Sequence, residues 1–203
     1  MKRKIYQLAV LSVCSLLLTA CFTTGKSQSV ALQGKQPVTE EWLSDRGVQL
    51  QQTIQGTPFT LRQEGDTWIV TAPAHLAFNA DRPDLLLPSA LGPITRMAKM
   101  LQANPDTAAL VIGHTDVNTN KRNYGLSTQR ARAVGSIFRL GGLGNRQMNY
   151  LGVGDAHGLY GQQANGPQNN RVEIVIMEHT HLPYIASVYQ PAHARQLALS
   201  GPR

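Results

Sequence analysis

The feature that most constrains the fold is an almost uninterrupted apolar run at residues 108–114. A strand without polar alternation is typical of the centre of a sheet that is covered on both faces. From residue 76 onward, strand-like and helix-like patterns alternate around this run. The strands are predicted at residues 76–79, 108–114, 148–154 and 171–177, and the helices at residues 89–103 and 123–140. This alternation predicts an α/β fold, an α+β sandwich in which helices pack on a mixed β-sheet.

The segments on either side of this region are less regular. Residues 38–75 are predicted to contain a short helix at 40–55, for which Thr39 is a suitable cap, and a hairpin whose strands flank residues 63–66. The tail, residues 178–203, contains three prolines and no clear period. This composition is typical either of a disordered segment or of a segment that docks to a partner.

The N-terminus has the parts of a secretory signal. A basic stretch at residues 2–4 precedes an apolar stretch at residues 5–18, which is short for a membrane span. The sequence Leu-Thr-Ala-Cys then ends at Cys21 and resembles a bacterial lipobox. The resemblance implies cleavage before this cysteine, diacylglycerol on its sulfur and a further acyl chain on its new amine. An ordinary signal peptide and a weak transmembrane anchor are the alternatives. The other cysteine is Cys14, so the sequence has no disulfide framework.

The lipobox resemblance implies that the mature chain begins with a lipidated Cys21. Residues 1–20 are then the signal peptide, and residues 21–37, rich in Thr, Ser, Gln and Gly, form a flexible tether. Phe22 stands where an aspartate would favour retention in the inner membrane, so we expect the protein at the cell outer membrane. Cleavage removes three of the 19 basic residues and none of the 12 acidic ones, which lowers the formal net charge from +7 to +4.

The helix predicted at residues 123–140 has a charged residue inside its apolar stripe. Arg130 shares a face with the apolar residues Leu126, Ala133, Val134 and Ile137. A guanidinium near a core needs an anion, because burying it unpaired is costly. Asp116 follows the central strand at the same edge of the sheet and is its natural neighbour. The two residues form either a plain internal ion pair or a split site, in which Arg130 binds a carboxylate and Asp116 binds an ammonium group.

Five separated blocks of sequence resemble the OmpA-like peptidoglycan-binding domain. They are Leu-Ala-Phe-Asn at 76–79, Val-Ile-Gly-His-Thr-Asp at 111–116, Asn-Tyr-Gly-Leu-Ser-Thr-Gln-Arg-Ala at 123–131, Gly-Val-Gly at 152–154 and Asn-Asn-Arg-Val-Glu-Ile at 169–174. The resemblance covers residues 76–177. It implies binding of the diaminopimelate of the peptidoglycan stem peptide, by an aspartate and an arginine that fall on Asp116 and Arg130.

The resemblance also implies further contacts with diaminopimelate. These are predicted to come from Thr115, Asn123, Asp81 and Arg171. The sequence departs from the family at Asn170, where an arginine is usual, and in residues 117–122, which lack the usual glycine-bearing pattern. It also carries Asn79 at a position that is usually acidic, with Asp81 two residues on.

No other pattern in the sequence indicates catalysis or a cofactor. The motifs G-x-S-x-G, H-E-x-x-H and the P-loop are absent. His114 is interpreted as a packed histidine at a strand end. His179 and His181, with His157 or His193, are weak evidence for a metal site, and we predict none. The cluster of Arg122, Arg130 and Arg132 is not accompanied by aromatic stacking residues, so we expect no nucleic-acid partner.

We therefore expect an outer-membrane lipoprotein, facing the periplasm, that binds peptidoglycan non-covalently and tethers the envelope. We expect no enzymatic activity and no cofactor. The alternative is an accessory lipoprotein subunit of an envelope-spanning secretion or conjugation machine, or of a periplasmic regulatory complex. In that case the domain anchors the protein to the wall.

Overall fold

A five-stranded mixed sheet forms the centre of the protein in a computed structural model, which describes residues 37–116, 123–155 and 167–190. The strands are β1 (Thr60–Glu64), β2 (Thr67–Pro73), β3 (Thr107–His114), β4 (Met148–Gly154) and β5 (Arg171–Glu178). Their order across the sheet is β1–β2–β5–β3–β4. β3 and β4 run parallel, and the other neighbouring pairs run antiparallel.

Helices cover both faces of this sheet. They are α1 (Glu40–Ile54), α2 (Ala74–Ala77), α3 (Pro88–Ala103), α4 (Asn123–Leu140) and α5 (residues 182–190), with short 3-10 turns at Pro167–Asn169 and His179–His181. The predicted cap of α1 forms, because the Thr39 hydroxyl accepts a 3.1 Å hydrogen bond from the backbone N–H of Trp42. The fold class, the hairpin and the positions of α1, α3 and α4 are confirmed.

β3 is the buried central strand that its apolar run predicts. All eight of its residues are buried, and it pairs with β4 on one side and β5 on the other. Ala109 and Val111 face a large core that also contains residues of α1, α3 and α4. Leu110 and Ile112 face a second core, which α5 covers. The alternation along β3 therefore divides the hydrophobic interior into two layers.

The strand predicted at residues 76–79 is wrong. Residues 74–77 form the short helix α2, and Phe78 makes only an isolated bridge with Leu86. Pro73 ends the ladder between β2 and β5, and the chain then turns so that the Phe78 N–H donates to the carbonyl of Ala74 over 2.9 Å. The helical turn buries Ala74 and leaves Leu76 exposed, which a strand pattern does not anticipate.

The interpretation of the tail as disordered is wrong for residues 178–190. β5 continues to Glu178, and after one 3-10 turn the chain forms α5. Leu182 and Ala186, one helical turn apart, are buried on the second face of the sheet. Residues 191–203 lie outside the described part of the chain.

The hairpin within residues 38–75 belongs to the same sheet as the later strands, and α1 contacts this hairpin. β2 pairs with β5 along six residue pairs, and the Trp68 indole N–H donates to the Leu43 carbonyl over 2.8 Å. Residues 37–116, 123–155 and 167–190 belong to one compact unit. Across the described residues, no helix combines the length and the hydropathy needed to cross a bilayer.

Candidate functional site

The start of α4 lies tightly against the ends of β3 and β4, where both strands carry glycine. A Cβ atom on Gly113 would overlap the Ser127 carbonyl oxygen, and one on Gly152 would lie 2.5 Å from the Ser127 hydroxyl. Ser127 is fully buried, and its hydroxyl accepts a 3.2 Å hydrogen bond from the backbone N–H of Gly154. These contacts fix the position of Arg130, which follows three residues along α4.

Arg130 is buried, and neutral groups hold its guanidinium. Nε donates to the Pro83 carbonyl over 2.8 Å, and Nη1 donates to Asn170 Oδ1 over 3.0 Å. The guanidinium carbon lies 5.3 Å from the centre of the Phe78 ring, within the range of a cation–π contact. A guanidinium has five N–H donors, so three on the terminal nitrogens have no partner among the described residues. The fold orients this arginine and leaves donors for a ligand.

Arg130 lines an open cleft of about 690 Å³. Its other wall residues come from α2, the segment before α3 and the start of β5: Ala74, His75, Phe78, Asn79, Ala80, Pro83, Leu87 and Asn170. The cleft therefore combines one buried cation with amide groups and an apolar wall. Such a surface suits a small anionic group, and a carboxylate matches the planar fork of the guanidinium.

Asp116 is half-buried at the end of β3 and acts on Arg130 through space. Burial lowers the pKa of Arg130 below its ordinary value, and the negative charge of Asp116 acts in the opposite direction. Within residues 37–116, 123–155 and 167–190, no carboxylate lies within ion-pair distance of the Arg130 guanidinium. The two residues thus do not form the plain internal ion pair. The split site stays a prediction.

Arg171 belongs to a buried charged cluster rather than to the cleft wall. Its Nε donates to Glu173 Oε1 over 3.0 Å, the same oxygen accepts from Arg62 over 3.1 Å, and Glu173 Oε2 lies 3.3 Å from His114 Nε2. Burial raises the pKa of Glu173, but hydrogen bonds and charges from His114 and Arg171 outweigh burial and hold that pKa well below its ordinary range. Burial, and then the charge of Glu173, raises the pKa of Tyr189 on α5. His114 is thus a packed histidine, as predicted.

Neither Thr115 nor Asp81 contributes to the cleft wall. Thr115 is buried, and its backbone N–H donates to the carbonyl of Gly154 over 2.9 Å. Asp81 is exposed, whereas Asn79 does line the cleft. The side-chain oxygen of Asn79 accepts 2.9 Å hydrogen bonds from the backbone N–H groups of Asp81 and Arg82. Asn79 therefore shapes the turn that forms this side of the cleft.

Several predicted residues cannot be placed. Asn123 begins α4, but its side chain lies outside the described part, as do residues 117–122 and Cys21. The same holds for two of the four histidines of the weak metal pattern, His157 and His193. Among the residues that the structure describes, no group of three or more His, Cys, Asp or Glu side chains is arranged to hold a metal ion.

Sequence reasoning missed three parts of the cleft: the Pro83 carbonyl, the Phe78 ring and the acceptor role of Asn170. Asn170 was visible as the departure from the usual arginine, and in the structure it contacts Arg130 directly. The Pro83 carbonyl and the Phe78 ring come from an irregular segment between α2 and α3, where no periodicity indicates which groups point inward.

The described part of the chain is a mixed sheet with helices on both faces, and a buried arginine lines one of its open clefts. Residues 77–172 match the model of the OmpA family. This region is therefore an OmpA-like domain, a type of domain that binds peptidoglycan rather than one known for catalysis. The resemblance in the sequence blocks is confirmed.

Solved structures support the same fold. The periplasmic domain of MotB is 25% identical, with 66% of this chain and 75% of that chain covered and a TM-score of 0.51. The periplasmic domain of Helicobacter pylori MotB is also 25% identical, with 66% of this chain and 90% of that chain covered and a TM-score of 0.52. A MotB-like protein from Desulfovibrio vulgaris, at 17% identity, covers 68% of this chain and 95% of its own with a TM-score of 0.57, which shows the fold alone. No protein of curated function matches the chain.

Proposed function

We propose that this chain is a lipoprotein of the outer membrane, anchored through Cys21 and facing the periplasm, whose OmpA-like domain binds peptidoglycan non-covalently. The observation that carries the proposal is Arg130, a buried arginine held by neutral acceptors at an open cleft. The similarity to periplasmic domains of MotB supports a periplasmic location for the domain.

In this proposal, Arg130 and Asp116 grip the two charged ends of an amino-acid group. The unused donors of Arg130 bind the carboxylate of diaminopimelate, and Asp116 binds its ammonium group. Thr115 directly precedes Asp116, and Asn123 begins the helix that carries Arg130. Arg171 holds the start of β5 through its hydrogen bond to Glu173. The lipid anchor and the wall contact, joined by the tether, strengthen each other because the second binding event is intramolecular.

Sedimentation with purified sacculi tests this proposal. We expect the wild-type chain to sediment with sacculi and Asp116→Ala to remain largely in the supernatant, because the ammonium group loses its counter-charge. Asp66→Ala is the matched control, since Asp66 is exposed in the turn between β1 and β2, at the other end of the sheet. Equal sedimentation of Asp116→Ala and Asp66→Ala would contradict the role of Asp116.

Cys21→Ser is expected to abolish lipidation, because serine lacks the thiol that accepts diacylglycerol. The chain should then stay uncleaved or become soluble, and it should no longer fractionate with outer membranes. Labelling cells with radioactive palmitate measures this directly, with Cys14→Ser as the control because Cys14 lies within the predicted signal peptide. Palmitate in the Cys21→Ser protein would show that the lipobox interpretation is wrong.

The second candidate function is an accessory subunit of an envelope-spanning machine or of a periplasmic regulatory complex. The observation that favours it is α5, whose outer surface exposes Tyr184 and Val188 at 37% and 51%. Val188 does not line the cleft, so its exposed side chain offers apolar surface that the proposed wall contact does not use. Purification of the lipidated protein from solubilised membranes distinguishes the two candidates, because a machine subunit should retain defined partners and a simple tether should not.

A further inference from the structure

The side-chain amide of Asn170 lies in the wall of the cleft and contacts the buried Arg130. It is half-buried at the start of β5, and its backbone is fixed because its carbonyl accepts a 2.9 Å hydrogen bond from the N–H of Ala74. The amide faces Arg130 Nη1 at 3.0 Å. A guanidinium only donates hydrogen bonds, so the atom that it meets is the amide oxygen.

The acceptors of Arg130 share one property, which is that they carry no formal charge. Pro83 offers a backbone carbonyl, Asn170 an amide oxygen and Phe78 a ring face. A carboxylate at the place of Asn170 would hold the guanidinium equally well but would cancel its charge before a ligand arrives. A neutral acceptor fixes the orientation and leaves the whole positive charge for a ligand anion.

The two hydrogen bonds also determine which N–H donors of the Arg130 guanidinium remain for a ligand. Nε is occupied by Pro83, so a carboxylate cannot bind across Nε and Nη2. Two N–H donors on Nη2 and one on Nη1 remain without a partner among the described residues. The terminal end of Arg130 is therefore the edge that is offered to the cleft.

We propose that Asn170 is the positioning residue of the cleft: its neutral oxygen fixes the Arg130 guanidinium without neutralising it, and so makes the site select a carboxylate. This inference rests on the proposed binding of a peptidoglycan stem peptide. It assigns to Asn170, the departure from the usual family arginine, a role that an arginine cannot fill, because two guanidinium groups cannot hydrogen-bond to each other.

Asn170→Asp is the decisive variant, since it keeps the shape and the acceptor but adds a negative charge. Its affinity for a stem peptide that contains meso-diaminopimelate, measured by calorimetry, is expected to fall about tenfold to a hundredfold. Discrimination between this peptide and its analogue with a carboxamide at the side-chain end of diaminopimelate should fall towards one. The melting temperature should be retained, because the new carboxylate still accepts from Arg130. Asn145→Asp is the control for net charge, since Asn145 is exposed in the turn before β4, at the far end of the sheet.

A second measurement, by NMR spectroscopy, follows the mobility of the Arg130 guanidinium in the absence of a ligand. In the wild-type chain, the side-chain ¹⁵N signals of Arg130 should report restricted rotation of the guanidinium. Asn170→Ala should release this restriction and lower the affinity for the stem peptide about threefold to tenfold. Unchanged Arg130 signals in Asn170→Ala would overturn the positioning role.

The outcomes separate this inference from the proposed function. If the wild-type chain binds neither peptide, the proposed function is wrong and this inference with it. If the wild-type chain binds and Arg130→Leu does not, but Asn170→Asp still selects the carboxylate as Asn145→Asp does, only the role of Asn170 is wrong. A loss of affinity in Asn170→Asp that is accompanied by a large fall in melting temperature would show that the residue is merely structural.

Discussion

Gly113→Ala is expected to lower the free energy of unfolding by at least about 3 kcal/mol, at the upper end of the range for overpacked cores. The new methyl group would overlap the Ser127 carbonyl oxygen and lie 2.6 Å from its carbonyl carbon. Both atoms are backbone atoms, so no side-chain rotation relieves the overlap. α4 or β3 must move instead, which breaks the hydrogen bond between Gly154 N–H and the Ser127 hydroxyl. The melting temperature should fall by roughly 6 to 12 °C for a domain of this size.

Gly125→Ala is the matched control for this substitution. Gly125 lies in the first turn of the same helix, and a Cβ atom there would meet nothing within 4 Å. Alanine is favoured over glycine inside a helix by up to about 1 kcal/mol, so the melting temperature should be unchanged or raised. Thermal unfolding followed by circular dichroism measures both variants. Equal melting temperatures for Gly113→Ala and Gly125→Ala would contradict the close contact between α4 and β3.

The central layer of the fold could be predicted because each of its elements has one strong sequence pattern. β3 has an apolar run with no polar alternation, and α4 has an apolar stripe with the period of a helix. A buried strand and an amphipathic helix follow from these patterns without knowledge of their neighbours. Arg130 could be singled out for the same reason, since it interrupts the stripe.

The partners of Arg130 could not be predicted, because they come from distant and irregular parts of the chain. Asn170 is 40 residues away and Pro83 is 47 residues away in sequence. Neither lies inside a helix or strand, so no periodicity shows where its acceptor points. Asp116 was the natural electrostatic partner, but the fold gives Arg130 neutral acceptors and keeps the carboxylate at a distance.

α5 was missed although the sequence carries its signal. Leu182, Ile185, Ala186 and Tyr189 recur at helical spacing and all pack on the second core. Two prolines obscured this pattern. Pro183 falls in the first turn of α5, where proline is tolerated, and Pro191 follows closely in the sequence.

Arg130→Leu is expected to abolish binding to sacculi with only a limited loss of stability. Leucine suits the apolar stripe of α4 and the neighbouring Phe78 ring. The substitution removes two hydrogen bonds to neutral acceptors, so the free energy of unfolding should fall by about 1–3 kcal/mol. Breaking a buried ion pair would instead cost about 3–5 kcal/mol. Arg130→Lys keeps the charge but loses the planar fork, and should bind sacculi much more weakly than the wild-type chain.

Thermal melting and sacculus sedimentation on the same Arg130→Leu protein test the binding role of the cleft most directly. Arg132→Leu is the control, because Arg132 is exposed on the same helix. We predict that both variants remain folded, that Arg132→Leu sediments like the wild-type chain, and that folded Arg130→Leu stays in the supernatant. A large drop in melting temperature for Arg130→Leu, with binding retained by its folded fraction, would contradict this account. The OmpA-like domain would then share the fold of its family without its binding site.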